Sequence, residues 1–197
     1  MLKLTAMISS TKIINDFLTS NTDLVKSFSS KFQYNFSLKK LKEYNNFRTV
    51  IMIGMGGSIL GAKAIYSFLQ FKIKKKFIFL DNLDANYLIK IKKEYNLKKS
   101  LFLIISKSGK TTETIINSGF FSLYLKKKNT IIISENNNNS LRNFAKRRDI
   151  YFVSHNQNIG GRYSVLSDVG MLPAYFMGLK INSFKKYTEK VLKNKAL

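Results

Sequence analysis

From residue 48 to residue 155 the chain repeats one pattern: a short run apolar almost throughout, a polar turn, then a longer stretch with its apolar residues on one helical face. The apolar runs are "RTVIMIG", "KKFIFL", "SLFLIIS", "NTIIIS" and "DIYFVS". Between them lie "SILGAKAIYSFLQ", "DANYLIKIKKEY", "TTETIINSGFFSLYLKK" and "SLRNFAKRR", which read as helices; Asp84 stands where the second would begin. A run apolar on both alternating faces is a strand with helices packed on either side of its sheet. Strand–helix alternation with right-handed crossovers then predicts an α/β fold: a three-layer αβα sandwich around a five-stranded, mostly parallel sheet.

The flanks depart from that rhythm. Residues 8–44 are polar and mixed, and Ile13, Ile14, Phe17, Leu24, Val25 and Phe28 are spaced for one or two short helices that cover a neighbouring surface. After "GGRYSVLSDVGMLPAYFMGLK" comes "INSFKKYTEKVLKNKAL", in which Phe184, Tyr187, Val191 and Leu192 fall on one helical face. Such a face packs either on the first helices or on a partner outside this chain. Pro173, inside the preceding helical pattern, predicts a kink or an early boundary. The expected organisation is a helical lead-in over 1–45, an α/β domain over 46–180 and a basic terminal helix over 181–197.

In a parallel sheet, ligands bind beyond the carboxyl ends of the strands, near a switch in strand order. The two richest polar loops, "GMGGS" and "SKSGKTTET", both follow apolar runs and so share that rim. In the first, Gly54, Gly56 and Gly57 precede Ser58; glycines allow a close turn and helix-start amides attract anions. It lacks the spacing of a dinucleotide fingerprint and the Gly-Lys-Ser/Thr ending of a P-loop, although Asp81 at the end of the next run stands where a ribose ligand would. In the second, Ser106 and Ser108 flank Lys107, Gly109 permits a tight turn, and Thr111 and Thr112 open a helix whose first turn holds Glu113. An ordinary cap at Thr111 accounts for one hydroxyl, not for a run of them beside a glycine. A phosphate would use several hydroxyls and amides together.

A third loop, "NIGGRYSVLSDVG", follows the fifth run. Gly160 and Gly161 give it backbone freedom and Arg162 offers a rigid fork of donors, which would otherwise pair with Glu113 or Asp168. Ser164 or Ser167 is placed to cap the helix that follows. His155 is the chain's one histidine, cysteine is absent, and no ligand spacing supports a metal.

Charge alters this picture least where it is largest. The formal net charge is +23, which raises nucleic acid first. Yet lysines occur in almost every segment, with no aromatic-basic repeat or recognition-helix pattern, so no dedicated nucleic-acid function is expected. Without cysteine there is no disulfide or thiol chemistry. No apolar stretch approaches a membrane span and the first residues carry no convincing leader, so the expectation is a soluble cytoplasmic protein.

Three pieces in order, "GMGGSILG" at 54–61, "SKSGKTTET" at 106–114 and "GGRYSVLSDVG" at 160–170, followed by "MLPA", resemble the glucose-6-phosphate isomerase family within the sugar isomerase (SIS) fold. The resemblance covers residues 50–180 and implies the amino-terminal half of such an enzyme. By it, Gly57 and Ser58 lie in a sugar-phosphate loop. Ser106, Lys107, Ser108, Gly109 and Thr111 surround the phosphate, with Lys107 and Gly109 contributing main-chain amides. Glu113, Gly160 and Gly161 support the loops, and Arg162 lies near the sugar carbonyl to steady an enediolate. The family interconverts glucose 6-phosphate and fructose 6-phosphate without metal or organic cofactor. Its proton-moving glutamate, ring-opening histidine and a later lysine lie in a second half, onto which neither His155 nor Glu113 maps. The resemblance therefore implies phosphosugar binding with weak or no isomerisation by this chain alone, and a second-half polypeptide or homo-oligomer as partner. The alternative is a non-catalytic SIS module that binds or senses a phosphosugar.

Overall fold

The computed structural model describes residues 12–13 and 15–192. Ile14, residues 8–11 of the lead-in and residues 193–197 of the terminal segment lie outside the described residues.

Five parallel strands form one sheet: β1 (Thr49–Gly54), β2 (Lys76–Leu80), β3 (Ser100–Ile105), β4 (Thr130–Glu135) and β5 (Tyr151–His155), in the order β2-β1-β3-β4-β5. All six residues of β3 are buried, as a central strand with helices on both faces requires. The chain leaves β1 toward one edge and returns to its other side with β3, so strand order switches between them. There Gly54 is paired with Ile105, the last residues of the two strands. The loops that follow start side by side.

The first crossover helix is α3 (Leu60–Leu69); the lead-in before it includes the short helices α1 (Asp23–Lys26) and α2 (Leu38–Lys42). Then come α4 (Ala85–Glu94), α5 (Thr112–Phe120), α6 (Ser140–Arg148), α7 (Asp168–Phe176) and α8 (Ile181–Leu192). Asp84 caps α4 as its position predicts, accepting the amide of Tyr87 at 3.0 Å. On one face of the sheet Val50, Met52, Leu101 and Leu103 pack with Phe36, Leu41 and Tyr44 of the lead-in, Ala62 of α3, Leu172 and Phe176 of α7, and Ile181. On the other, Ile51, Ile53, Phe102 and Ile104 pack with Leu88 and Ile91 of α4, Phe121, and Leu141 and Ala145 of α6. The result is the expected three-layer, SIS-like sandwich.

Several details correct the sequence reading. α5 ends at Phe120 rather than running on to residue 127, because Phe121 and Leu125 turn inward and are fully buried. Ile13 and Phe17 are exposed, and the lead-in is anchored by Phe36, Leu41 and Tyr44 instead. The helix α7 runs through Pro173 and ends at Phe176, with the Met177 amide still donating to the Pro173 carbonyl at 2.9 Å. The terminal helix does pack on the lead-in, but of the apolar positions expected only Phe184 lies against the core. Tyr187, Val191 and Leu192 are exposed, while Ile181 and Lys185 are buried.

Lys185 makes that contact polar. Its ammonium donates to the carbonyls of Ser27 and Leu166 and lies over the rings of Phe32 and Tyr34, 4.4 and 5.2 Å from their centroids. One turn later Glu189 Oε1 accepts from the Ser30 amide at 2.6 Å and from the Ser29 and Ser30 hydroxyls. Asp168, fully buried at the start of α7, accepts the Asn35 amide at 2.6 Å. Burial raises the Asp168 carboxyl to about 6 and lowers the Lys185 ammonium to about 8; each partly offsets the other's shift. Among the described residues no helix is long and apolar enough to cross a membrane.

Candidate functional site

Beyond Gly54 the chain turns through Gly56, at φ +53°, into a short 3-10 turn over Gly56–Ser58. Gly57 is the tight point. A Cβ there would lie 2.3 Å from the carbonyl carbon and oxygen of Gly161 and 2.7 Å from the Arg162 nitrogen. Only a residue with no side chain lets these two backbones meet, and that contact brings the loop after β5 to the switch point. Neither Gly160 nor Gly161 adopts a left-handed φ, so the third loop does not use the freedom the sequence attributes to them. Gly161 begins a 3-10 turn over Gly161–Leu166, held by Ser164 Oγ donating to the Gly161 carbonyl at 2.7 Å.

The loop after β3 is fixed from beneath. Lys107 O accepts the Glu135 amide at 2.9 Å and the Ser134 hydroxyl at 3.3 Å, and Gly109 O accepts the Leu141 amide. Gly109, at φ +62°, packs so closely on Asn139 that a Cβ would lie 1.9 Å from Asn139 Oδ1. Asn139 in turn caps α6, accepting the Arg142 amide at 2.9 Å. Sequence reasoning missed this residue; its signal was the "ENNNNS" run, read only as a turn.

Within that frame the hydroxyls face one another. Ser106, buried, and Thr111 share a 2.8 Å hydrogen bond, and Ser108 Oγ accepts the Lys110 amide at 3.2 Å. Thr111 occupies the N-cap position of α5, yet its side chain makes no capping bond, which corrects the plain-cap reading. Among the described residues, the first-turn amides of Thr112 and Glu113 donate to nothing in the protein. The Gly109 amide, by contrast, already donates to Ser106 O at 3.1 Å and is not available to a ligand. The Lys107 ammonium is directed away to the Gln157 carbonyl at 2.8 Å and lies 3.7 Å from Glu135 Oε1. Gln157 is a second residue the sequence did not single out.

The remaining candidates resolve as follows. Arg162 is exposed and pairs with neither Glu113 nor Asp168 among the described residues. Ser167 is the N-cap residue of α7, but its hydroxyl donates to Ser164 O at 2.7 Å rather than capping. Asp81 is held 2.6 Å from the Lys63 ammonium. His155 is buried with Nε2 donating to the Ile159 carbonyl at 3.1 Å, and burial lowers its pKa, so it sits neutral. The described residues contain no cluster of metal-ligating side chains.

The arrangement places three loops on one rim, joined by backbone contact, with hydroxyls and open amides at the switch point. A model of the phosphoglucose isomerase family matches residues 7–191. The chain belongs to that family. It is 34% identical over 176 residues to the glucose-6-phosphate isomerase of Methanocaldococcus jannaschii, a match covering 83% of this chain and 44% of the relative. The crystal structure of a glucose-6-phosphate isomerase from Chlamydia trachomatis aligns with a TM-score of 0.64 at 27% identity, over 75% of this chain and 29% of that one. A hypothetical protein of Thermus thermophilus shares the fold with a TM-score of 0.76 at 22% identity, over 96% of this chain and 48% of that one. The chain spans less than half the length of each of these three proteins.

Proposed function

We propose that the rim formed by Gly57–Ser58, Ser106–Thr111 and Arg162 binds the phosphate end of a phosphosugar, glucose 6-phosphate or fructose 6-phosphate. The observation that carries the reading is the Ser106–Thr111 hydroxyl pair at the uncapped amino end of α5. Two hydroxyls and open helix amides match the acceptor oxygens of a phosphate, and the helix dipole favours its charge. Ser108 completes the hydroxyl set and Ser58 adds one from the adjoining turn. Lys107 contributes its main-chain amide, since its ammonium is occupied elsewhere. Glu113 and Gly160–Gly161 support the loops, and Arg162, exposed and without an ion-pair partner among the described residues, is the donor for a developing enediolate oxygen.

Isomerisation as a whole, which moves a proton between adjacent sugar carbons, is proposed only for this chain joined to a second half bearing the general base. Losing a placed base alone removes about a hundredfold or more of rate. The chain alone is then a cytoplasmic phosphosugar binder of weak or no isomerase activity. A purely non-catalytic binding or sensing module is the second reading. It is supported by the state of Glu135, the carboxylate beneath the loop after β3, which lies against Lys107.

Calorimetric titration with fructose 6-phosphate tests the binding. Ser108→Ala, an exposed loop position, is expected to weaken it about tenfold with little change in the unfolding transition. Equal affinity for wild type and variant would remove the assigned loop from the site.

A further inference from the structure

The helix α5 is inside out. Its buried positions include Thr114, Asn117 and Ser118, and Thr114 Oγ1 and Asn117 Oδ1 have no partner there. Its outer face carries Ile116, 49% exposed, and Phe120, 38% exposed, one turn apart. A helix on the surface of a layered α/β fold ordinarily does the reverse. The apolar strip continues on both sides. The Lys92 ammonium of α4 lies 5.7 Å from the Phe120 ring centroid, which brings α4 alongside with its own exposed Ile89, and Leu123 follows at 78% exposed.

Leu123 also belongs to a cleft of about 730 Å³ floored by Leu123 and Tyr124 and rimmed by Lys98, Lys126, Lys127 and Lys128. Lys127 is paired with Asp149; Lys92, Lys98, Lys126 and Lys128 form no ion pair among the described residues. An apolar strip bordered by unpaired lysines is complementary to one chemistry, apolar side chains flanked by carboxylates. A second copy of this chain, at +23, would bring like charge against the same lysines.

We propose that the outer face of α5, with the basic cleft below it, docks an acidic amphipathic helix of a partner polypeptide. Phe120, Ile116 and Leu123 are the apolar anchors, and Lys92, Lys98, Lys126 and Lys128 meet the acidic rim. The cleft lies at the amino ends of β3 and β4, across the sheet from the phosphate loops, so this surface stands apart from the proposed phosphosugar site and is tested without it.

The probe is a labelled helical peptide, about four turns long, with leucine on one face and glutamate elsewhere, read by fluorescence anisotropy at about 0.15 M salt. The control is its scrambled sequence, of identical charge. The helix is expected to bind at least about tenfold tighter than the scramble, and Ile116→Ser with Phe120→Ser is expected to remove that advantage without lowering the unfolding transition. If the double variant does not fold, Leu123→Ser, at a more exposed position, gives the same reading. Equal binding of helix and scramble, unchanged binding by the variants, or displacement of the peptide by single-stranded oligonucleotide would each overturn the proposal. So would self-association of the wild type that Phe120→Ser abolishes.

Discussion

At the rim, Ser106 and Thr111 bond chiefly to each other, and the helix amides beyond them are left open. Below α7 and α8, Asp168 and Lys185 are buried, and their bonds to Asn35, Ser27 and Leu166 tie one chain segment to another. The first region holds polar groups near water with donors to spare. The second hides charges and uses their bonding capacity on backbone. An unsatisfied group costs least where water or a ligand can reach it, while a buried charge must be bonded on the spot. One region leaves its donors open; the other spends its bonds on the chain itself.

The contrast is broken most severely at the point where the rim is assembled. Gly57→Ala sets a methyl group 2.3 Å from the Gly161 backbone and must part the two loops. It is expected to weaken fructose 6-phosphate binding about a hundredfold and to destabilise the fold by about 2–3 kcal/mol, checked by calorimetry and urea unfolding. Retained affinity would mean the third loop takes no part in binding.

Lys185→Met acts on the other region. It keeps packing volume against Phe32 and Tyr34 but strands two carbonyls, and is expected to cost about 3 kcal/mol in urea unfolding. The pH dependence sharpens the assignment. Asp168 at about 6 lies above its ordinary 3.8, so the folded state holds that proton more tightly and stability falls as pH rises between those values. Lys185 at about 8 lies below its ordinary 10.5, so the folded state releases its proton more readily and stability recovers as pH climbs from 8 to 10.5. In Lys185→Met the recovery above pH 8 should vanish; its persistence would assign it to another group.

The smallest effect is expected at Ser106→Ala. Removing that hydroxyl should weaken phosphosugar binding about tenfold while changing stability by less than about 1 kcal/mol, because Thr111 is near enough to solvent to find water. A large loss of stability with unchanged affinity would make the pair a structural one.

Much of this was legible before the fold was known. The five apolar runs became five strands in sequence, and the hydroxyl-rich loop fell at the carboxyl end of β3, because burial on both faces leaves a plain signature. The terminal helix was legible only at Phe184, because periodicity marks apolar positions and its most buried contact with the lead-in is an ammonium. No local pattern distinguishes Lys185 from the chain's other lysines; its role depends on carbonyls of Ser27 and Leu166, distant in sequence. The contact of Gly57 with Gly161 was equally hidden, since it joins loops that only the strand order brings together.

The bond from Lys185 to Ser27 spans 158 positions of the chain. During synthesis, which runs from the amino end at about 5–20 residues per second, Ser27 must therefore wait roughly 8–32 s for the ammonium that fastens it. Until then Phe32 lacks the ammonium that covers its ring. A ribosome-bound intermediate stopped before α8 should expose Phe32, a ring a chaperone could meet.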